Sequence, residues 1–519
     1  MPQFRLTRPT PSARLALAAT LAIVLTGSLV SASPGTARTM TDPTIGQNSP
    51  AYQDFYTQGL EWNDCPGSGL QCASVEVPMD WSRPDGPRIV VTFAMVPASD
   101  TKHRIGSLLI NPGGPGASAI DSLEYLASTM PSKVRARYDI VGVDPRGVGQ
   151  SVPVTCMNDE DMGEFLEFFP EPPGTKAIIE THRVMRAYAR ECREHTGEVL
   201  GYVDSLSSAR DMDVIRAVLG DETLTYVGYS YGTFLGSLYA QEYGDRAGRL
   251  ILDGAVDPTL PTEKESTLQM ASFDRAMSSY VETCMTQSAC PLSGRVTDAM
   301  EQIKAFIDAR SNDPLPTSNE ARKLTKVQAA TGVLTAMYSQ DLWVVLTHGL
   351  AAAMNDGDGS ILLALADSYY QRDNDTGAFE SNMMDAFAAI SCLDKPVDAR
   401  RVALDAAEAE ATDMAPLFGE FARYGSINCA VWPYPARLAP EEITAPYAPP
   451  IVVVGTTGDP ATPYENAVNL ARSLARGVLV TYEGEGHTAV GGGVRCIDNA
   501  IEAFLVDGIV PEDGLTCTD

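Results

Sequence analysis

The chain has 519 residues, 44% apolar and 20% charged, with 67 acidic side chains against 38 basic ones for a net charge of −29. This composition can bury a large core, and it excludes disordered, collagen-like, coiled-coil and polytopic membrane classes. A sequence isoelectric point near 4.5 argues against a nucleic-acid partner, because phosphate contact needs clustered Lys and Arg.

Residues 1–32 carry Arg5, Arg8 and Arg14 without an acid, then the apolar run Leu15 to Val30, then the small residues Ser31 and Ala32. That order reads as an export signal cleaved before Ser33. Gly27 and Ser28 break the run and no basic stop-transfer cluster follows, so a spanning anchor is not expected. A secreted, extracellular protein without stable membrane association is expected, with 33–50 as a flexible Ser-, Pro- and Thr-rich leader.

From residue 51 the chain alternates. Strands are expected at 73–81, 88–96, 107–111, 138–144, 224–230 and 249–255, and helices at 176–195 and 206–219. Strand and helix alternating with Gly-rich strand ends indicate an α/β fold with a mostly parallel central sheet. From 257 to 446 the strand signals nearly vanish, and helices are expected at 267–286, 294–310, 340–355, 360–371 and 378–391. Strand patterns return at 449–456 and 477–483. Two orphan strands cannot form a sheet of their own. The simplest organisation is therefore one α/β core, 51–256 plus 447–519, interrupted by a helical cap at 257–446.

Ten cysteines are present, and neighbours in sequence suggest the bridges 65–72, 156–192, 284–290, 392–429 and 496–517, although spacing cannot fix connectivity. Tight C-x-x-C pairs and H-E-x-x-H are both missing, so no metal or other cofactor is expected.

The chemistry-bearing residues fall at strand ends. Gly228-Tyr229-Ser230-Tyr231-Gly232 follows the strand pattern LTYV and precedes a helical pattern. That context places Ser230 on a sharp strand-to-helix turn as a nucleophile, with a helix N-terminus beside it. A serine nucleophile needs a base, and the base needs an orienting acid, in the chain order Ser, acid, His. Of the two later histidines, His348 lies in the apolar run LWVVLTHGLAAAM and reads as a packed cap residue. His487, in the Gly-rich loop GEGHTAV, reads as the base, and Asp459, ending the strand IVVVGTTGD, as the acid. The oxyanion hole is expected from the N–H of Tyr231 and from the loop 111–116, NPGGPG, where Gly114 is the leading donor and Gly113 the reserve. Asp144-Pro145-Arg146-Gly147 reads as a supporting turn.

The segments NPGGPG, VDPRGVGQS, ARDMDVIRAVLG, GYSYGTFLG, GTTGDPATP and GEGH resemble the secreted tripeptidyl aminopeptidases of actinobacteria, α/β-hydrolases related to prolyl aminopeptidases. The resemblance spans roughly 60–519. It implies the α/β-hydrolase fold, the triad Ser230, Asp459 and His487, and exopeptidase action on peptides with a free N-terminus. Prolyl aminopeptidases usually carry His where this chain has Pro112, which favours tripeptide release over single-residue release. Some members of the broad family act mainly as esterases, so a secreted carboxylesterase with the same triad is the alternative. A non-catalytic binding protein on the same fold is a third reading, which the intact triad opposes.

Reading a free amine needs buried acceptors or carboxylates under a roof that blocks longer extensions. Residues 257–446 hold 27 acids and 14 bases, close to the whole-chain ratio, so acidity does not locate the amine site. Asp394, beside Cys392, is the candidate substrate-binding carboxylate.

Overall fold

The computed structural model describes residues 45–65 and 69–518. The expected signal segment, 1–32, and most of the leader, 33–50, lie outside the described residues.

Among the described residues ten strands form one sheet. They are β1 (Asn63–Asp64), β2 (Gln71–Pro78), β3 (Arg88–Val96), β4 (Gly106–Asn111) and β5 (Tyr138–Val143), followed by β6 (Leu224–Tyr229), β7 (Ala247–Asp253), β8 (Ile451–Gly458), β9 (Gly477–Glu485) and β10 (Leu515–Cys517). Their spatial order is β1-β2-β3-β5-β4-β6-β7-β8-β9-β10. The β1–β2, β2–β3 and β3–β5 pairs are antiparallel, and the rest of the sheet is parallel. The central strands are covered on both faces, which explains why GSLLIN and IVVV read as continuous rather than alternating apolar runs.

Parallel pairing gathers the C-terminal strand ends at one edge. Asn111 of β4 lies opposite Gly228 of β6, Tyr229 of β6 opposite Asp253 of β7, and Gly458 of β8 opposite Glu485 of β9. Loops that leave this edge carry every residue singled out for chemistry except Asp394. Helices that bear on the site include α1 (Ser205–Val218), α2 (Tyr231–Glu242), α3 (Thr262–Cys284), α4 (Met383–Asp394) and α5 (Tyr464–Ser473).

Between β7 and β8, strands that pair directly, the regular elements of the described chain are helices, with two isolated bridges, Leu315 with Leu324 and Arg372 with Phe379. These helices bury a hydrophobic cluster of their own around Phe273, Met277, Leu346, Leu362 and Phe418. Ala461, in the loop after β8, belongs to that cluster and so links it to the sheet edge.

All ten cysteines are paired, as 65–72, 156–192, 284–290, 392–429 and 496–517. The last of these fastens the helix Arg495–Glu502 to the edge strand β10. Among the described residues no helix is long and apolar enough to cross a membrane.

Candidate active site

Ser230 sits between β6 and α2 with φ 55° and ψ −124°. A non-glycine residue held there stores about 1–3 kcal/mol of backbone strain. Its surroundings hold it in place: the Ser230 N–H donates to Asp253 O at 2.9 Å, and its carbonyl accepts from Thr233 N at 2.9 Å and Thr233 Oγ1 at 2.6 Å. The flanking glycines answer to space. A Cβ at Gly228 would lie 2.3 Å from Gly232 O, and one at Gly232 would lie 2.8 Å from Asn111 Oδ1.

The loop after β4 passes directly over this turn. A Cβ at Gly113 would approach Tyr229 O to 2.6 Å and Ser230 Cβ to 2.9 Å. The Gly113 N–H donates to Asn111 Oδ1 at 3.0 Å. That leaves the N–H groups of Gly114 and Tyr231 without a protein acceptor among the described residues. Gly114, Ser230 and Tyr231 line a cavity of about 350 Å³ together with Glu263, Glu265 and Asp394. Cavities of this size suit small organic ligands and short peptide ends.

His487 and Asp459 come together from the loops after β9 and β8. His487 Nδ1 lies 2.9 Å from each carboxylate oxygen of Asp459. Asp459 also accepts from Ala461 N and Thr462 N at 2.9 Å, and from Thr462 Oγ1 at 3.1 Å. With Nδ1 facing a carboxylate it carries the proton, which leaves Nε2 as the acceptor. The His487 main chain donates to Tyr338 O at 2.9 Å, and the Tyr338 ring stands edge-on to the imidazole at 5.4 Å. Burial opposes the imidazolium, but the Asp459 charge and hydrogen bond, with Asp253 adding to them, outweigh it and raise the pKa above the ordinary histidine value.

Among the described residues no hydrogen bond joins Ser230 Oγ to His487. The two are related through the end of β7. Asp253 O holds the Ser230 N–H, and a Cβ at the next residue, Gly254, would lie 3.1 Å from His487 Cε1.

Asp394, at the end of α4, is buried in the cavity wall, and both of its oxygens are engaged. Ser205 N donates to Oδ1 at 2.8 Å and Ser205 Oγ to Oδ2 at 2.5 Å, while Ser205 Oγ also bonds the Tyr231 hydroxyl. Burial pushes the Asp394 carboxyl up to about 7 against those hydrogen bonds. Neighbouring Lys395 pairs with Glu265 at 2.9 Å. His348 differs from expectation. It is exposed on the outer face of its helix with Val344 and Val345, while Leu346, Thr347 and Leu350 point inward.

Asp144 and Arg146 are buried supports. Asp144 accepts from Ser118 Oγ, Ile120 N and Gln150 N, and Arg146 forms a two-pronged pair with Asp211 at 2.7 Å per contact. Three neighbours of the triad candidates were not anticipated. Asp253 and Thr462 had readable signals, an acid closing a strand and a hydroxyl three residues after Asp459. Tyr338 had none, because it reaches the site from the helical insertion.

The family model described as TAP-like protein matches residues 415–517. Serine protease Hip1 from Mycobacterium tuberculosis is 36% identical over 99% of this chain and 99% of its own length. Carboxylesterase B from the same species is 36% identical over 98% of each chain. Tripeptidyl aminopeptidase from Streptomyces lividans is 27% identical over 88% of this chain and 86% of its own.

Proposed function

Because the chain belongs to the family of α/β-hydrolases that contains serine protease Hip1 and the TAP-like proteins, we propose that it is a serine exopeptidase that releases tripeptides from free N-termini. Ser230 attacks the scissile carbonyl, and His487 Nε2 takes its proton and then delivers it to the leaving amine. Asp459 keeps the imidazole in the Nδ1–H form and stabilises the imidazolium. The N–H groups of Tyr231 and Gly114 receive the oxyanion, and water resolves the acyl-enzyme by the same route reversed.

The observation that carries this reading is the His487–Asp459 pair at 2.9 Å on the same sheet edge as a serine held at positive φ at the end of β6. The segment 257–446 acts as a cap, and its α3 and α4 supply cavity walls above Ser230. Asp394 is the proposed acceptor for the cationic N-terminus. Its oxygens keep spare lone pairs beyond the Ser205 bonds, and an arriving ammonium would hold it ionised. Ten paired cysteines support the reading of an exported protein, since such bridges persist in oxidising compartments.

Carboxylesterase activity is the second reading, favoured by the relative of that name. The test is covalent labelling with a serine-directed phosphonate, followed by peptide mapping and parallel rates on a peptide amide and a short acyl ester. An adduct on Ser230 with peptide-amide turnover supports the peptidase. An adduct on Ser230 with ester turnover alone selects the esterase. An adduct elsewhere overturns the nucleophile.

A further inference from the structure

One buried carboxylate at the sheet edge has no part in the mechanism above. Asp253 closes β7, the strand beside the nucleophile strand, and is fully buried. Its main-chain oxygen accepts the Ser230 N–H at 2.9 Å. Its Oδ2 accepts from Ala489 N at 2.8 Å and Val490 N at 2.7 Å, two and three residues beyond His487. Its Oδ1 is buried with no hydrogen-bond partner among the described residues. A single residue thus grips the nucleophile turn with its backbone and the histidine loop with its side chain. Two backbone N–H donors that share one acceptor oxygen could be served by a neutral Asn, so leaving the second carboxylate oxygen unsatisfied calls for another reason.

We propose that Asp253 is a positioning residue for the reaction, tying the His487 loop to the Ser230 turn and adding a second buried negative charge close to the imidazole. The proposal rests on His487 being the base. When His487 takes the serine proton, the new imidazolium is stabilised by Asp459, which it touches, and by Asp253, which acts on it through the field. The other titratable groups facing this pair are Tyr338 from the helical insertion, Tyr229 on β6, and Asp498, whose Oδ1 accepts from Gly491 N at 3.0 Å. Asp459 and Asp253 are the charges that raise the His487 pKa. Burial pushes the Asp253 carboxyl up to about 6 against its backbone hydrogen bonds and the His487 charge. Its negative charge is therefore harder to hold than that of an ordinary carboxylate and weakens as the pH falls toward that value.

The test uses the full chain with Asp253→Asn, which keeps an oxygen for the Ala489 and Val490 N–H groups and removes the charge. The variant is expected to fold and to accept a serine-directed phosphonate. Its kcat should fall by ~10- to 100-fold, the range of a slight misplacement of reacting groups, with KM little changed. The acid limb of kcat/KM should move to lower pH by at least ~0.5 unit, because removing a neighbouring negative charge lowers the imidazole pKa. An unmoved acid limb overturns the proposal whatever happens to the rate, since a carboxylate that merely supports the fold would not shift it. If Asp253→Asn does not accumulate, Asp253→Ser takes the same measurement. Failure of both to fold while Asp459→Asn folds also overturns it, in favour of a purely structural role. His487→Ala runs in parallel: retained activity there refutes the base assignment, whereas an inactive His487→Ala beside an unmoved Asp253→Asn limb refutes only this inference.

Discussion

Replacing Asp459 with Asn should disable the site by turning one hydrogen bond around. Asp459 is fully buried in its side chain, and an Asn Oδ1 can still accept from Ala461 N and Thr462 N. The fold around the loop should survive. The amide nitrogen then occupies the place of Oδ2, which now faces His487 Nδ1 and Thr488 N. An N–H in that place can donate to Nδ1, and Oδ1 is already shared by the Ala461 and Thr462 N–H groups, so the tautomer with the ring proton on Nε2 is favoured. In that tautomer Nε2 cannot take a proton from Ser230. The same change removes the nearest charge that stabilises the imidazolium. A wrong tautomer at a serine–histidine site lowers kcat by ~10³–10⁴-fold, which is about 4–5 kcal/mol of barrier at 1.36 kcal/mol per decade. The assay is kcat at saturating unblocked peptide, with thermal melting as the control for folding. Loss of the Asp459 charge should also lower the His487 pKa, so high pH should not rescue the rate. A folded variant with kcat within tenfold of wild type would refute Asp459 as the orienting acid.

Ser230→Ala should abolish both turnover and phosphonate labelling while melting near wild type, and Ser230→Gly should melt higher because glycine relieves the positive φ, by up to about 1 kcal/mol; a wild-type melt for the glycine variant would remove the strain argument. The acid limb of wild-type kcat/KM should have its midpoint above 6.5, since His487 is raised in the folded protein. The sign follows from the base form: activity needs neutral imidazole and falls as pH drops through that pKa, so a midpoint below 6 contradicts the assignment. Asp394→Asn should raise KM for unblocked peptides by about 10-fold, the worth of a charge-assisted hydrogen bond of roughly 1.5 kcal/mol, and should leave N-acetylated peptides unaffected; an unchanged KM moves the amine site elsewhere. Paired Ala replacement of Cys392 and Cys429, which close a separation of 37 residues, should lower stability by about 3–4 kcal/mol, read by denaturant titration, and an unchanged midpoint would refute the stapling role.

Much of this architecture was legible because its signals are local. The doubly covered strands at 106–111, 224–229 and 451–458 read as β-branched or apolar runs, and a parallel sheet sends their C-terminal loops to one edge. Ser230, Asp459 and His487 lie in those loops, so a strand reading alone brings them close. What stayed hidden depended on distance in sequence. Tyr338 reaches His487 from 149 positions away, and nothing in its own segment marks it. The Asp394 carboxyl was visible as a charge, but its bond to Ser205, 189 residues upstream, was not. His348 misled because its run is almost entirely apolar. An apolar helix in a cap still has an outer face, and periodicity is blind when Val344 and Val345 also lie on it. The edge strands β1 and β10, of two and three residues, are too short to show a pattern. The start of α3 at Thr262 rather than 267 follows from a polar first turn with Glu263 and Glu265, which suits a helix N-terminus but hides the apolar period.

The claim of N-terminal tripeptide release meets its most direct test in matched hexapeptides, one with a free N-terminus and one acetylated, digested in parallel and weighed by mass spectrometry. A cavity that seats the ammonium beside Asp394 should release intact tripeptides from the free peptide and cut the acetylated one at least ~10-fold more slowly, the factor that 1.4 kcal/mol represents. Equal cleavage of both peptides, single amino acids as the first products, or inertness toward both with rapid hydrolysis of a short acyl ester would each contradict it.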